Sequence, residues 1–188
     1  GKLHRQQGKL DTRGVSFHLS LVAVVDFDTF GEYNVSWKSK FVEEKMISKV
    51  MVKMITFSDG NIHDIDHLIR VWAYAKTMGE LERLDPGTQK ILEVAAITHD
   101  IACPLCREKY GNTNGRRQEE EGEPVVRKFL KDSDLSAEEI DRVAFLVGHH
   151  HTFTEIDGVD WQILVEADYL ANAMENKKTA PSMIRVFL

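Results

Sequence analysis

Cysteine is almost missing from this chain: its 188 residues carry two, Cys103 and Cys106. A pair so close together cannot build the disulfide framework of a small secreted domain, so a reducing, cytoplasmic setting is expected. Positive charge is also short. There are 24 Lys and Arg against 30 Asp and Glu, a formal net charge of -6. A protein that grips a nucleic-acid polymer carries the opposite excess, because each phosphate contact needs a cation. What remains open is a small anionic ligand met by a local cluster of positive charge. Long apolar runs are absent as well. The longest, LSLVAVVDF from Leu19 to Phe27, is far shorter than the roughly 20 residues of a membrane span and lacks the flanks of a secretory signal. With 43% hydrophobic and 29% charged residues, the chain reads as soluble and globular with room for one core, and no membrane partner is expected.

What is present changes character along the chain. Residues 1–40 form an N-terminal extension in which VSFHLSLVAVVDF (15–27) has the β-branched and aromatic content of one or two strands. Residues 41–188 are helical in pattern. Val42, Met46, Val50 and Met54 recur at four-residue steps and predict a first helix, with Met46, Met51 and Met54 as ordinary core or interface fillers. After the turn cluster SDGN, Ile65, Leu68, Ile69, Trp72 and Ala75 predict the inward face of a second helix that ends near Met78 and Gly79. Asp85 before Pro86 is an N-cap with proline at the first helical position, opening a helix through Ile91, Leu92, Ala95 and Ala96. The stretch CPLCREKYGNTNGRRQ (103–118) reads as a long, locally basic loop. A helix follows through EPVVRKFL (123–130). SAEE (136–139) is a capping box that starts another, with Ile140, Val143 and Val147 inward. Asp160 is read as the cap of a last helix whose apolar set is Ile163, Leu164, Ala167, Leu170, Ala171 and Met174.

Ionisable residues interrupt these helices where an apolar side chain belongs. In the second helix His63, His67, Arg70 and Tyr74 fall at steps of four, three and four, beside the Trp72 face. Asp168 lies between Leu164 and Ala171 on an inward stripe, where an unpaired carboxylate would cost several kcal/mol, above the roughly 2–7 kcal/mol of a neutral polar group. Such a group needs a cation. His67, the adjacent His99 and Asp100, and Asp168 converge from three helices as a mixed nitrogen and oxygen set. That set suits a first-row transition ion such as Mn²⁺, Fe²⁺ or Zn²⁺ better than Ca²⁺ or Mg²⁺.

The order of HLIRV (67–71), AAITHDI (95–101), VGHHHTF (147–153) and ILVEADYLAN (163–172) resembles the HD-domain superfamily of metal-dependent phosphohydrolases. Any one piece alone is weak; the ordered combination is specific. The resemblance implies an all-α, HD-domain-like bundle, a metal held by His67, His99, Asp100 and Asp168, and hydrolysis of a phosphate ester or phosphoanhydride, often of a nucleotide. Relatives with two metals carry a further histidine about where Gln118 stands here, so one divalent transition ion (Mn, Fe, Zn, Co or Ni) is expected. His149 and His150 match the histidine pair that lines the site in relatives and are expected to hold phosphate oxygens or a second ion. Arg70, Lys109, Arg116 and Arg117 are candidate phosphate clamps, since guanidinium groups fit phosphate oxygens in pairs. A water on the metal would be the nucleophile, with Asp100, Asp168 or Glu119 orienting or deprotonating it.

Plainer readings compete with each piece. His67 alone would more often be an interfacial histidine, and His63 a surface or supporting group. Three consecutive histidines cannot all point inward, and His151 is expected to be the solvated one. QEEEGE reads as a solvated acidic helix start. CPLC could be half a zinc site or a redox pair, but a second Cys pair is missing and it follows a helix rather than a strand. Two other functions fit the same pattern: a phosphodiesterase for a cyclic nucleotide or signalling dinucleotide, with residues 107–117 lining a groove, and a non-catalytic metal- or nucleotide-binding regulatory domain.

Overall fold

The structure, a computed structural model, describes residues 34–175, and these are all-helical. The strands expected between residues 15 and 27 lie outside the described residues. The helices are α1 (Asn34–Phe57), α2 (Ile62–Leu81), α3 (Pro86–Thr98), α4 (Cys103–Tyr110), α5 (Gly115–Leu130), α6 (Ala137–Val147) and α7 (Val159–Glu175).

Local chemistry sets most of the boundaries. Asp85 accepts the N–H groups of Gly87 and Thr88 while Pro86 opens α3. Ser136 and Glu139 form the expected capping box of α6. The reading of residues 103–118 as one loop is corrected. Pro104 stands in the first turn of α4, where a missing N–H costs nothing, and Gly111 closes that helix in the left-handed region at φ 71°. Asn114 then caps α5, which starts eight residues earlier than the expected EPVVRKFL segment and carries QEEEGE inside it. Asp160 is likewise not a cap: α7 begins one residue before it, and the Asp160 carboxylate receives Arg142.

α3 is the axis of the core. It packs against α2, α6 and α7, so Leu92, Val94, Ala95, Ala96 and Ile97 are fully buried on every side rather than along one stripe. Burying side chains of this size contributes on the order of 1.5–3 kcal/mol for each large one. α1 adds Met46, Ile47, Val50 and Met54 to the same core, but Val42, expected on that stripe, is exposed. In α2 the buried face is His67, Leu68, Val71, Ala75 and Gly79, rotated from the expected one, and Ile69 is exposed. Gly79 packs closely there: a Cβ would displace the Gln89 side-chain amide and stand 3.1 Å from Leu92 Cδ2 on α3. Met174, expected inward on α7, is also exposed. Among the described residues no helix is long and apolar enough to cross a membrane.

Candidate metal centre

The fully buried axis of α3 ends at His99, and its carboxyl end is where helices α2 and α7 bring their own polar residues. His67 is buried on the α2 face, His99 is the C-cap of α3 with Asp100 next to it, and Asp168 is buried on α7. His67 Nε2 lies 3.2 Å from His99 Nε2, 3.1 Å from Asp168 Oδ1 and 3.6 Å from Asp100 Oδ2. His99 Nε2 is 3.6 Å from both Asp100 Oδ2 and Asp168 Oδ1. The four residues expected from the sequence therefore do meet.

Hydrogen bonds on the far side of each ring decide what faces the centre. His99 Nδ1 donates to the Ala96 carbonyl at 2.8 Å, and His67 Nδ1 donates to Glu175 Oε1 at 3.0 Å. In the neutral rings both Nε2 atoms are then bare acceptors, and two lone pairs 3.2 Å apart repel unless a cation or a proton lies between them. The separations of 3.1–3.6 Å among these atoms are within a few tenths of an ångström of the edges, about 3.0–3.4 Å, of a coordination shell with bonds near 2.1 Å. The donor set thus could hold a divalent metal ion.

In the absence of an ion the proton answers the same need. Burial lowers the basicity of His67, but hydrogen bonds to Asp168 and Glu175 and the charge of Asp100 overcome it and raise its pKa to about 9. Burial pushes the Asp100 and Asp168 carboxyls up. The surrounding imidazoles outweigh it, His99 and His150 at Asp100 and His67 and His99 at Asp168, and hold both well below the usual carboxylate range. Asp168 is held further by Asn172, whose Nδ2 donates to Oδ1 at 2.8 Å.

Asp100 also faces a second group. Its Oδ1 lies 3.5 Å from His150 Nε2, and ligand atoms of Asp100, His150 and His151 fall within 4.8 Å of one another. The Nε2 atoms of His150 and His151 are buried without a hydrogen bond. Burial and the neighbouring His150 lower the pKa of His151 to about 4, so it stays neutral at physiological pH. This corrects two expectations. His151 is not the solvated member of the triplet; His149 is the one that turns away from the site. The His149 ring stacks on Phe145, its Nδ1 donates to the Phe145 carbonyl at 2.7 Å, and its own carbonyl accepts Trp161 Nε1. The reason lies in the turn: α6 stops at Val147, and the three histidines that follow no longer step by 100°.

The other expected residues stand further out. Glu119 belongs to neither cluster, and its Oε1 accepts the His151 N–H at 3.0 Å and the Thr152 hydroxyl at 2.9 Å, which pins the turn that presents His150 and His151. Gly115, at the start of α5, permits that close packing: a Cβ would stand 2.7 Å from the His151 ring. Gln118 is buried, with Nε2 donating to the Thr113 carbonyl and Oε1 unpartnered. None of the candidate clamps is idle. Arg70 pairs with Asp66 and lies 3.6 Å from Glu175, Lys109 pairs with Glu121, and Arg116 and Arg117 both pair with Glu120. Cys103 and Cys106 are free, buried thiols in neither cluster, and burial first, with the Asp100 charge beside Cys103, raises both. They lack the lowered pKa of a redox cysteine.

Sequence reasoning missed Glu175 and Asn172. Asn172 sits one turn after Asp168, a spacing that could have flagged it. A family model described as HD domain matches residues 64–173. No curated protein and no solved structure gives a match.

Proposed function

The chain belongs to the HD-domain family, and on that premise we propose that it is a metal-dependent phosphohydrolase that cleaves a phosphate ester or phosphoanhydride of a small phosphorylated molecule, a nucleotide by preference. The observation that carries the reading is the pair of opposed imidazole nitrogens, His67 and His99, flanked by Asp100 and Asp168. A divalent ion held by these four residues supplies Lewis acidity toward phosphate and lowers the pKa of water at the site. Asp100 keeps its carboxylate charged and partly open to solvent, with 26% of the side chain exposed, so it can accept a hydrogen bond from a water and orient it. That open edge favours a catalytic role over an enclosed regulatory site.

The size of the substrate follows from charge. Each candidate basic clamp already has a carboxylate partner, so binding a long polyanion would mean breaking several pairs at once. A single phosphoryl group can instead be met by one exchanged ion pair and by His150, whose pKa burial lowers but Asp100 raises on balance, so that Nε2 can carry a proton to donate. The test is release of phosphate and pyrophosphate from nucleoside mono-, di- and triphosphates with Mn²⁺ supplied, with Asp100→Ala as the blank. Release that needs Asp100 supports the hydrolase, and the preferred phosphate length identifies the bond. Metal-loaded protein inactive on the whole panel and on cyclic nucleotides would sink it.

A further inference from the structure

The histidines at and beside the metal centre differ in how their rings are held. His99 and His150 follow the ends of α3 and α6, where the last carbonyls of a helix have no partner within it, and each ring donates Nδ1–H to such a carbonyl, of Ala96 and Val147. No side-chain substitution removes those acceptors. His67 stands in the interior of α2, where carbonyls are consumed by the helix itself, so its Nδ1 must find an acceptor from another element.

Glu175, at the end of α7, is that acceptor. Its Oε1 receives His67 Nδ1 at 3.0 Å and lies 3.6 Å from Arg70 Nη1, while its Oε2 lies 3.3 Å from His63 Nε2. His63, His67 and Arg70 are three members of the polar stripe on α2, and a single carboxylate gathers them. Glu175 falls two residues beyond the family match. Resting on the metal reading above, we propose that Glu175 is the positioning residue of His67: it holds the proton on Nδ1 and the ring in the orientation that presents the Nε2 lone pair to the ion. Without it the ring is free to turn about its outer bond, or to carry its proton on the nitrogen the ion requires. Loss of such an outer partner typically weakens a metal site by about 10–100-fold.

The experiment is zinc titration of the full chain by calorimetry, with thermal melts of the metal-free proteins alongside. Once affinities are corrected for the proton displaced from His67, by titrating at two pH values, Glu175→Ala is expected to bind zinc about 10–100-fold more weakly than wild type while melting within a few degrees of it. Glu175→Gln, which still offers Oε1 as an acceptor, is expected to restore most of the affinity. Ring ¹⁵N spectra of zinc-loaded wild-type protein read the same contact without a variant, and should show the His67 proton on Nδ1 and zinc on Nε2. Equal zinc affinity in wild type and Glu175→Ala, or zinc on Nδ1, would overturn the assignment. A wild-type protein that takes up no zinc or manganese is a different result, and overturns the metal reading beneath it.

Discussion

Metal uptake should expel one proton, and the size of the effect can be worked from His67. With a pKa of about 9 in the metal-free protein, the ring is protonated at pH 7 in all but roughly one molecule in a hundred. An ion needs that nitrogen bare, so apparent affinity at pH 7 is about 100-fold below its alkaline limit and rises about tenfold per pH unit until pH 9. Asp100 and Asp168, held low, release no proton above about pH 4. Manganese titrations at pH 6.5, 7.5 and 8.5, each in two buffers of different ionisation heat, measure both the slope and the proton count. Stability of the metal-free protein gives the opposite trend. A raised pKa means the folded state holds the proton more tightly, so the His67 contribution is full below the unfolded value of 6.5 and is lost as pH rises through about 9. At about 1.4 kcal/mol per unit it amounts to roughly 3 kcal/mol. The depressed carboxylates contribute above 3.8 and lose their contribution as pH falls, while His151, whose pKa is lowered to about 4, penalises the folded state below 6.5, leaving metal-free stability greatest near pH 6.5. Affinity that stays flat from pH 6.5 to 8.5, with no proton released, would refute this account of the centre.

Asp168→Ala should abolish measurable zinc binding and lower the melting temperature of metal-free protein, since breaking a buried charge pair costs about 3–5 kcal/mol; a fully loaded variant would argue against the ligand set. Gly122→Ala places a Cβ 2.9 Å from Val147 Cγ1 between α5 and α6. Overpacking there should cost about 1–3 kcal/mol in a denaturant titration and leave zinc affinity unchanged. Gly115→Ala presses on the His151 ring instead, so it should raise KM for the phosphorylated substrate more than it shifts zinc affinity, as read from steady-state kinetics beside a metal titration. The double variant Cys103→Ser, Cys106→Ser should keep full metal stoichiometry by elemental analysis, because neither thiol belongs to a cluster.

What could be read in advance divides along physical lines. Caps are short-range chemistry, so Asp85 with Pro86 and the Ser136 to Glu139 box were legible and stand where expected. The HD pair and Asp168 were legible because charge on an apolar stripe is a local anomaly. The same logic misplaced the α2 face: counting His67 as polar pushed the expected core toward Ile69, whereas the centre needs the histidine inside. Helix α4 was hidden because proline and glycine mark both loops and helix ends. The histidine triplet defeated periodicity because it follows a helix end. Glu175 lies 108 residues from the ring it holds, and only packing of α7 on α2 brings them together.

The place of α1 in the core bears on how this protein can be trimmed. A fragment cut to residues 64–173 would keep every ligand atom of both clusters and still lack Met46, Ile47, Val50 and Met54. At roughly 1.5–3 kcal/mol for each buried side chain, their loss is comparable to the whole stability of a typical domain, about 5–15 kcal/mol. Recognition by motif and independence in folding therefore have different borders in this chain, and the smallest working fragment is set by the helix that carries no chemistry.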